Sequence, residues 1–232
     1  MTEFRPTRFE ILPTGIKNLL IINGFVFLAQ ITIGKQVNIE NTFALHTWQS
    51  PLFKPWQFFT HMFMHGDFSH ILSNMFALWM FGSILENVWG PKRFLIFYIV
   101  CGLGAALCHM GVLYYQTEQA INIFNAATYE NQLIQREDII IRLREATLGA
   151  SGAVFGCLAA FGYLFPNTFI YIYFMIPLKA KWFVMIYAGF ELFQAVQNSA
   201  GDNVAHVAHL GGALVGIILV YFWNKTNKKK LY

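Results

Sequence analysis

The chain has 232 residues, 56% of them hydrophobic, 17% aromatic and only 12% charged, against about a quarter charged in ordinary soluble proteins. That balance excludes a soluble globular enzyme and identifies a membrane protein embedded in the lipid bilayer. The formal charge of +4 gathers at the ends, in Arg5, Arg8 and Lys17 before the first apolar run and Lys225, Lys228, Lys229 and Lys230 after the last. Basic clusters beside membrane spans are topology signals, so nucleic acid is not indicated as a partner.

Residues 16 to 33 form an apolar run long enough to cross a bilayer core of roughly 30 Å. No small-residue cleavage site follows, so the run is a retained first span and not a signal peptide. Residues 35 to 67 form an aromatic loop (Trp48, Phe53, Trp56, Phe58, Phe59, Phe63) interrupted by Pro51 and Pro55, a composition suited to the membrane interface. A second span covers residues 68 to 89, stopped by Gly90-Pro91, and a third covers 94 to 115. Residues 116 to 148 are the one extended polar region, with charges of mixed sign and room for a short surface helix. A fourth span runs from 149 to 165. Residues 167 to 180, broken by Pro177, read as an interfacial loop. A fifth span starts near Trp182 and turns polar at Glu191, Gln194 and Gln197; a sixth covers 203 to 223. The cysteines Cys101, Cys108 and Cys157 lie within apolar segments without CxxC spacing, giving neither a disulfide framework nor a metal site.

The expected fold is therefore all-α, a polytopic six-helix membrane bundle over residues 16 to 223, flanked by cytoplasmic segments 1 to 15 and 224 to 232. With both termini inside, spans two, four and six all begin at the same outer level. Each carries polar groups within roughly 10 Å of its start, at 1.5 Å of rise per residue. Span two has His70 and Asn74, four apart and so on one face. Span four has Ser151; span six has His206 and His209. Polar side chains at that depth are costly unless they meet partners or line a water-filled cavity, which predicts a shared cavity open to the outer side. Gly149, Gly152 and Gly156 form a groove on span four. Ala205, His209, Gly212 and Gly216 form a facing stripe on span six, while His206 lies some 60° round the helix.

Serine becomes a nucleophile when a neighbouring base takes its proton, and a neutral histidine is the usual base. Asn74, a His70 ring N–H and the Ser151 backbone N–H are suitable donors for the oxyanion that attack on a carbonyl creates. No carboxylate has an obvious place as a third member, so the reading is a Ser151–His209 dyad, with Phe155 one turn below the serine to stack on the imidazole. His61, His65 and His70 lack an HExxH pattern and have only Asp67 nearby, so they are not assigned to a metal. His61 and His65 are expected to tie the outer loop to span two, His109 to pack, and Glu191 to hydrogen-bond at the hydrated end of span five. No cofactor is indicated.

Three separated motifs then match one family. Gly149-Ala150-Ser151-Gly152, the His65, His70, Asn74 spacing after Thr60-His61, and Ala208-His209-Leu210-Gly211-Gly212 together resemble the rhomboid intramembrane serine proteases. The resemblance covers the six-span core. It implies a helical bundle with an outward-open cavity that cleaves transmembrane segments of membrane-protein substrates. Ser151 would be the nucleophile, His209 the base, His70 and Asn74 the oxyanion donors, and Glu86 a structural carboxylate. The family's frequent Trp-Arg pair in the first outer loop is Trp56-Gln57 here, and the aromatic at Phe155 is a tyrosine in some relatives. A non-catalytic member that binds transmembrane helices is the alternative. A histidine-using transporter is a third reading, opposed by the scarcity of carboxylates in the spans. Substrate, cleavage preference and oligomeric state are not readable from the residues; the polar second half of span five suggests that substrate enters beside it.

Overall fold

The computed structural model of the protein describes residues 9–172, 175–197 and 206–226. The start expected for the sixth span at Asn203, the stripe residue Ala205 and the basic residues Arg5, Arg8, Lys228, Lys229 and Lys230 lie outside those residues. The described chain is mostly helical, and four of its helices are long and apolar enough to cross a membrane.

Helix α1 spans Thr14–Val37 and ends at Asn38 in the left-handed conformation. A short helix α2 (Ile39–Phe43) leads into strand β1 (Leu45–His46), helix α3 (Gln57–Thr60) and a 3-10 turn over His61–Phe63. The second candidate span, Phe68–Trp89, consists of α4 (Phe68–Ala77), a π-helical turn at Leu78–Gly82, and α5 (Ser83–Trp89). Asp67 starts it by accepting the His70 backbone N–H at 2.8 Å through Oδ1, an N-cap interaction. Pro91 occupies the opening turn of α6 (Pro91–Ala126), where the missing N–H costs no helical hydrogen bond.

At 36 residues, α6 is about 54 Å long, well beyond the expected 94 to 115. The apolar run marks the membrane-matched part, while the helix continues into polar sequence, where the Thr117 hydroxyl donates back to the Leu113 carbonyl at 2.8 Å. Helix α7 (Tyr129–Arg144) fills the polar region as the expected surface helix, and strand β2 (Ala146–Thr147) pairs antiparallel with β1. Helix α8 (Ser151–Leu164) has only 14 residues. The stretch read as an interfacial loop contains a hairpin of β3 (Phe169–Ile172) and β4 (Ile176–Lys179). Helices α9 (Ala180–Gln197) and α10 (His206–Thr226) follow.

The main apolar core joins α1, the second candidate span, α6, α8 and α10. It includes Ile16 and Leu19 of α1, Leu78 and Phe81 of the π turn, Leu85 of α5, Phe94, Phe97, Tyr98 and Cys101 of α6, Cys157 and Phe161 of α8, and Val220 of α10. Glu86, buried on α5, accepts the backbone N–H groups of Gly15 at 2.7 Å and Ile16 at 2.8 Å, satisfying two of the donors that the first turn of α1 leaves without helical partners.

The α8–α10 contact positions the site. A methyl group at Gly212 would overlap the Gly152 carbonyl, and one at Gly216 would lie 2.7 Å from the Gly156 carbonyl oxygen. The two backbones touch along this seam, as the small-residue groove and stripe predict.

Candidate functional site

Ser151 opens α8, where the first backbone N–H groups have no helical acceptor. The residue before the turn, Gly149, has φ of +132°, which L side chains rarely adopt. A Cβ there would also lie 2.9 Å from His70 Nε2 and 3.5 Å from Ser151 Oγ. His70 and Ser151 thus flank the same point of the backbone, and glycine leaves the space between them open. The Gly149 N–H donates to the His61 carbonyl at 2.9 Å. His61 therefore anchors the loop between α1 and α4 to the start of α8, where a tie to the second span was expected.

His209 of α10 meets Ser151 directly. Its Nε2 lies 2.9 Å from Ser151 Oγ, while its Nδ1 lies 2.9 Å from Glu191 Oε2. An ionised carboxylate only accepts, so Nδ1 carries the proton and Nε2 presents its lone pair to the serine hydroxyl. The imidazole face stacks on Phe155 at 4.2 Å between centroids and 5° between planes, the arrangement expected from the sequence. Phe155 in turn contacts Tyr187 at 5.1 Å.

His206 points elsewhere: its Nδ1 reaches the same Glu191 Oε2 at 2.7 Å. The expected hydrogen-bonding role of Glu191 is met, but at the centre of the site; a carboxylate does stand in third position behind Ser151 and His209. The three ligand atoms of Glu191, His206 and His209 lie within 4.8 Å of one another. Both nitrogens hydrogen-bond to the same carboxylate oxygen, Glu191 Oε2.

His70 and Asn74 lie one turn apart on α4. The Gly66 N–H approaches His70 Nδ1 at 3.4 Å; with Nδ1 accepting, Nε2, the atom beside Gly149, is left as the donor. Asn74 is buried, and its Nδ2 has no hydrogen-bond partner among the described residues, a costly state for an amide unless something else accepts from it. A cavity of about 20 Å³, lined by His61, Thr147, Gly149, Ser151, Gly152 and Ala208 among others, adjoins the serine and has room for about one water.

The loop between α1 and α4 is held by groups that the sequence did not rank. Gln57 is fully buried. Its Oε1 accepts from the backbone N–H groups of His46 (3.3 Å) and Lys54 (3.1 Å), and its Nε2 donates to the carbonyls of Asn41, Thr42 and Leu52 at 3.0–3.4 Å. Gln57 thus organises the loop by bonding five backbone groups with one side chain. The backbone N–H and carbonyl of His65 pair with the Gln30 side chain of α1, each at 3.0 Å, while its ring packs edge-on against His70 at 5.1 Å. Burial pushes both His61 and His65 down to about 4, which keeps them neutral at physiological pH. His109 Nε2 lies 2.8 Å from Thr147 Oγ1, tying α6 to β2.

The profile of the Rhomboid family, described as Rhomboid domain, matches residues 52–225. Among curated relatives, RHOMBOID-like protein 12, mitochondrial, of Arabidopsis thaliana is 27% identical over 204 residues, covering 88% of this chain and 56% of its own length. Rhomboid protein 1, mitochondrial, of Saccharomyces cerevisiae is 28% identical over 173 residues, covering 72% of this chain and 42% of its own. Rhomboid protease AarA of Providencia stuartii is 25% identical over 215 residues, covering 87% and 69%. The chain thus spans about half the length of the first two.

Proposed function

The chain belongs to the rhomboid family, a family of integral membrane proteins, and from that premise we propose that it is a serine endopeptidase that hydrolyses peptide bonds in or near transmembrane segments of membrane proteins. The observation that carries the reading is the 2.9 Å contact between Ser151 Oγ and His209 Nε2, with Nδ1 engaged so that Nε2 is the basic nitrogen. Ser151 attacks the scissile carbonyl as His209 Nε2 takes its proton. The oxyanion is met by Asn74 Nδ2–H, His70 Nε2–H and the Ser151 backbone N–H. His209 then returns the proton to the leaving amine. A water activated by the same imidazole hydrolyses the acyl-enzyme. The Asn74 Nδ2, which has no partner among the described residues, supports its assignment, since a donor left idle in the resting site is ready for an acceptor that exists only in the transition state.

In the same reading residues 16 to 223 form a six-span membrane domain, with α8 and α9 joining the four longer candidates and residues 1 to 15 and 224 to 232 on the cytoplasmic side. A 14-residue α8 is about 21 Å long. With its C-terminal end at the inner interface, Ser151 lies inside a bilayer core of about 30 Å, at the depth where a transmembrane substrate exposes its peptide bonds.

The test is cleavage of a single-span reporter by detergent-purified protein, with fluorophosphonate labelling alongside. Ser151→Ala and His209→Ala are expected to lose both. His206→Ala, which removes a contact to Glu191 and none to Ser151, is expected to keep labelling and to lose at most about tenfold in rate, roughly 1.4 kcal/mol. Cleavage persisting in clean Ser151→Ala protein defeats the proposal.

A further inference from the structure

We infer that Glu191 is a positioning residue for His209, completing a Ser151–His209–Glu191 chain in which His206 anchors the carboxylate. This rests on the Ser151–His209 pairing proposed above and goes beyond it by adding a third member from a third helix.

Glu191 is 3% exposed on a largely apolar helix. A carboxylate in that setting is costly unless it is paired. Its Oε2 receives two imidazole N–H groups, His206 at 2.7 Å and His209 at 2.9 Å, from residues three apart on α10, hence on neighbouring parts of one face. The two rings stand nearly perpendicular, at 89°. The oxygen is therefore fixed from two directions, and its place opposite His209 does not depend on the His209 contact alone.

The choice of atom separates this arrangement from a simple helix-to-helix tie. His206 by itself would link α9 to α10. His209 adds its Nδ1, the ring position that determines which nitrogen faces Ser151. An acceptor-only group at Nδ1 excludes the tautomer with a proton on Nε2, the form unable to take the serine proton. The imidazole is then constrained on three sides: Phe155 on its face, Glu191 at Nδ1 and Ser151 at Nε2. When the Ser151 proton moves to Nε2, the ring becomes an imidazolium beside a carboxylate that stays ionised. The proton then passes from Nε2 to the leaving amine, and Glu191 ends as it began.

The test compares Glu191→Gln with Glu191→Asp in purified full-length protein, reading fluorophosphonate labelling as a time course. The final amplitude counts competent sites, and the rate reports activation of Ser151. Glu191→Gln removes the charge, or, with its amide turned, inverts the tautomer. It should slow labelling by between about tenfold and ten-thousand-fold while keeping the amplitude. Its kcat should fall by the same factor, with KM within twofold. Glu191→Asp keeps the charge and should label faster than Glu191→Gln. A structural role predicts the opposite split, lower amplitude with an unchanged rate per labelled molecule in both variants, and that result overturns the inference. So does a rate in Glu191→Gln within twofold of the unsubstituted protein. Cleavage surviving in Ser151→Ala would defeat the underlying protease reading instead, so the two failures are distinguishable.

Discussion

The α8–α10 seam offers a graded test of whether backbone proximity sets the reaction geometry. Gly216→Ala places a methyl carbon 2.7 Å from the Gly156 carbonyl oxygen, and relaxing that to an ordinary contact near 3.4 Å requires about 0.7 Å of helix separation. Gly212→Ala needs more, since its methyl would overlap the Gly152 carbonyl one residue from the nucleophile. The Ser151–His209 contact of 2.9 Å tolerates only about 0.6 Å before it ceases to be a hydrogen bond, and a 1 Å misplacement can cost about a hundredfold in rate. Gly212→Ala should therefore lose at least about a hundredfold in cleavage and in labelling rate. Gly216→Ala, one turn further from the serine, should lose about tenfold. Gly211→Ala is the control for overpacking alone: its methyl would meet Cys108 of α6 at 2.7 Å, so it should cost about 1–3 kcal/mol of stability while leaving the labelling rate of folded protein nearly unchanged. Gly24→Ala, with nothing within 4 Å, should be silent in both assays. Equal losses in the Gly211 and Gly212 variants would refute the claim that this seam sets the Ser151–His209 distance.

Asn74→Ala and His70→Ala should each lose about a hundred- to a thousandfold in kcat, or roughly 2.7–4 kcal/mol of transition-state stabilisation; a loss explained by a lower folded fraction would make either residue structural. Detergent-solubilised protein should lose stability as pH falls from about 6.5 towards 4. His61 and His65 stay neutral in the fold down to about 4, whereas the unfolded chain protonates them near 6.5. Their contribution is thus fully present above 6.5, and each group removes up to about 3 kcal/mol on the way down. His65→Phe should flatten that melting-temperature profile, and an unchanged profile contradicts the assignment. Glu86→Ala should cost about 1–3 kcal/mol in denaturation by stranding the Gly15 and Ile16 N–H groups, with the labelling rate of the folded fraction preserved. Shrinking Phe190 or Phe193, both more than half exposed on α9, should raise cleavage of membrane-embedded substrates more than of soluble peptides; equal effects would argue against entry beside that helix.

What was legible in the sequence was what repeats along a helix. The spacing of four between His70 and Asn74 and the small-residue pattern around Ser151 and Gly212 are periodic signals, and the structure brings those faces together. Helix ends were less legible because apolarity tracks lipid and not backbone hydrogen bonding: α6 continues ten residues or so past its last strongly apolar turn, and the hairpin after α8 was hidden in an apolar run broken by Pro177. Gln57 carried no signal as a single uncharged residue in a loop, and its importance lies in five backbone partners that only the folded loop assembles.

Glu191 shows why a lone polar residue in a span defeats one-dimensional reading. On α9 the one ionisable residue at helical spacing from it is Tyr187, four positions earlier, and that neighbour does not reveal the histidines it pairs with. Its partners lie 15 and 18 residues onward on α10. The available signal was energetic: a carboxylate within an apolar helix has to find donors, and the imidazoles of His206 and His209 on the next helix are groups able to supply them. A base that presents Nε2 to a serine must have its Nδ1 proton accepted by something. Counting ring atoms, and not residues, makes an acceptor behind His209 a requirement of the proposed chemistry, and Glu191 is the group that stands there.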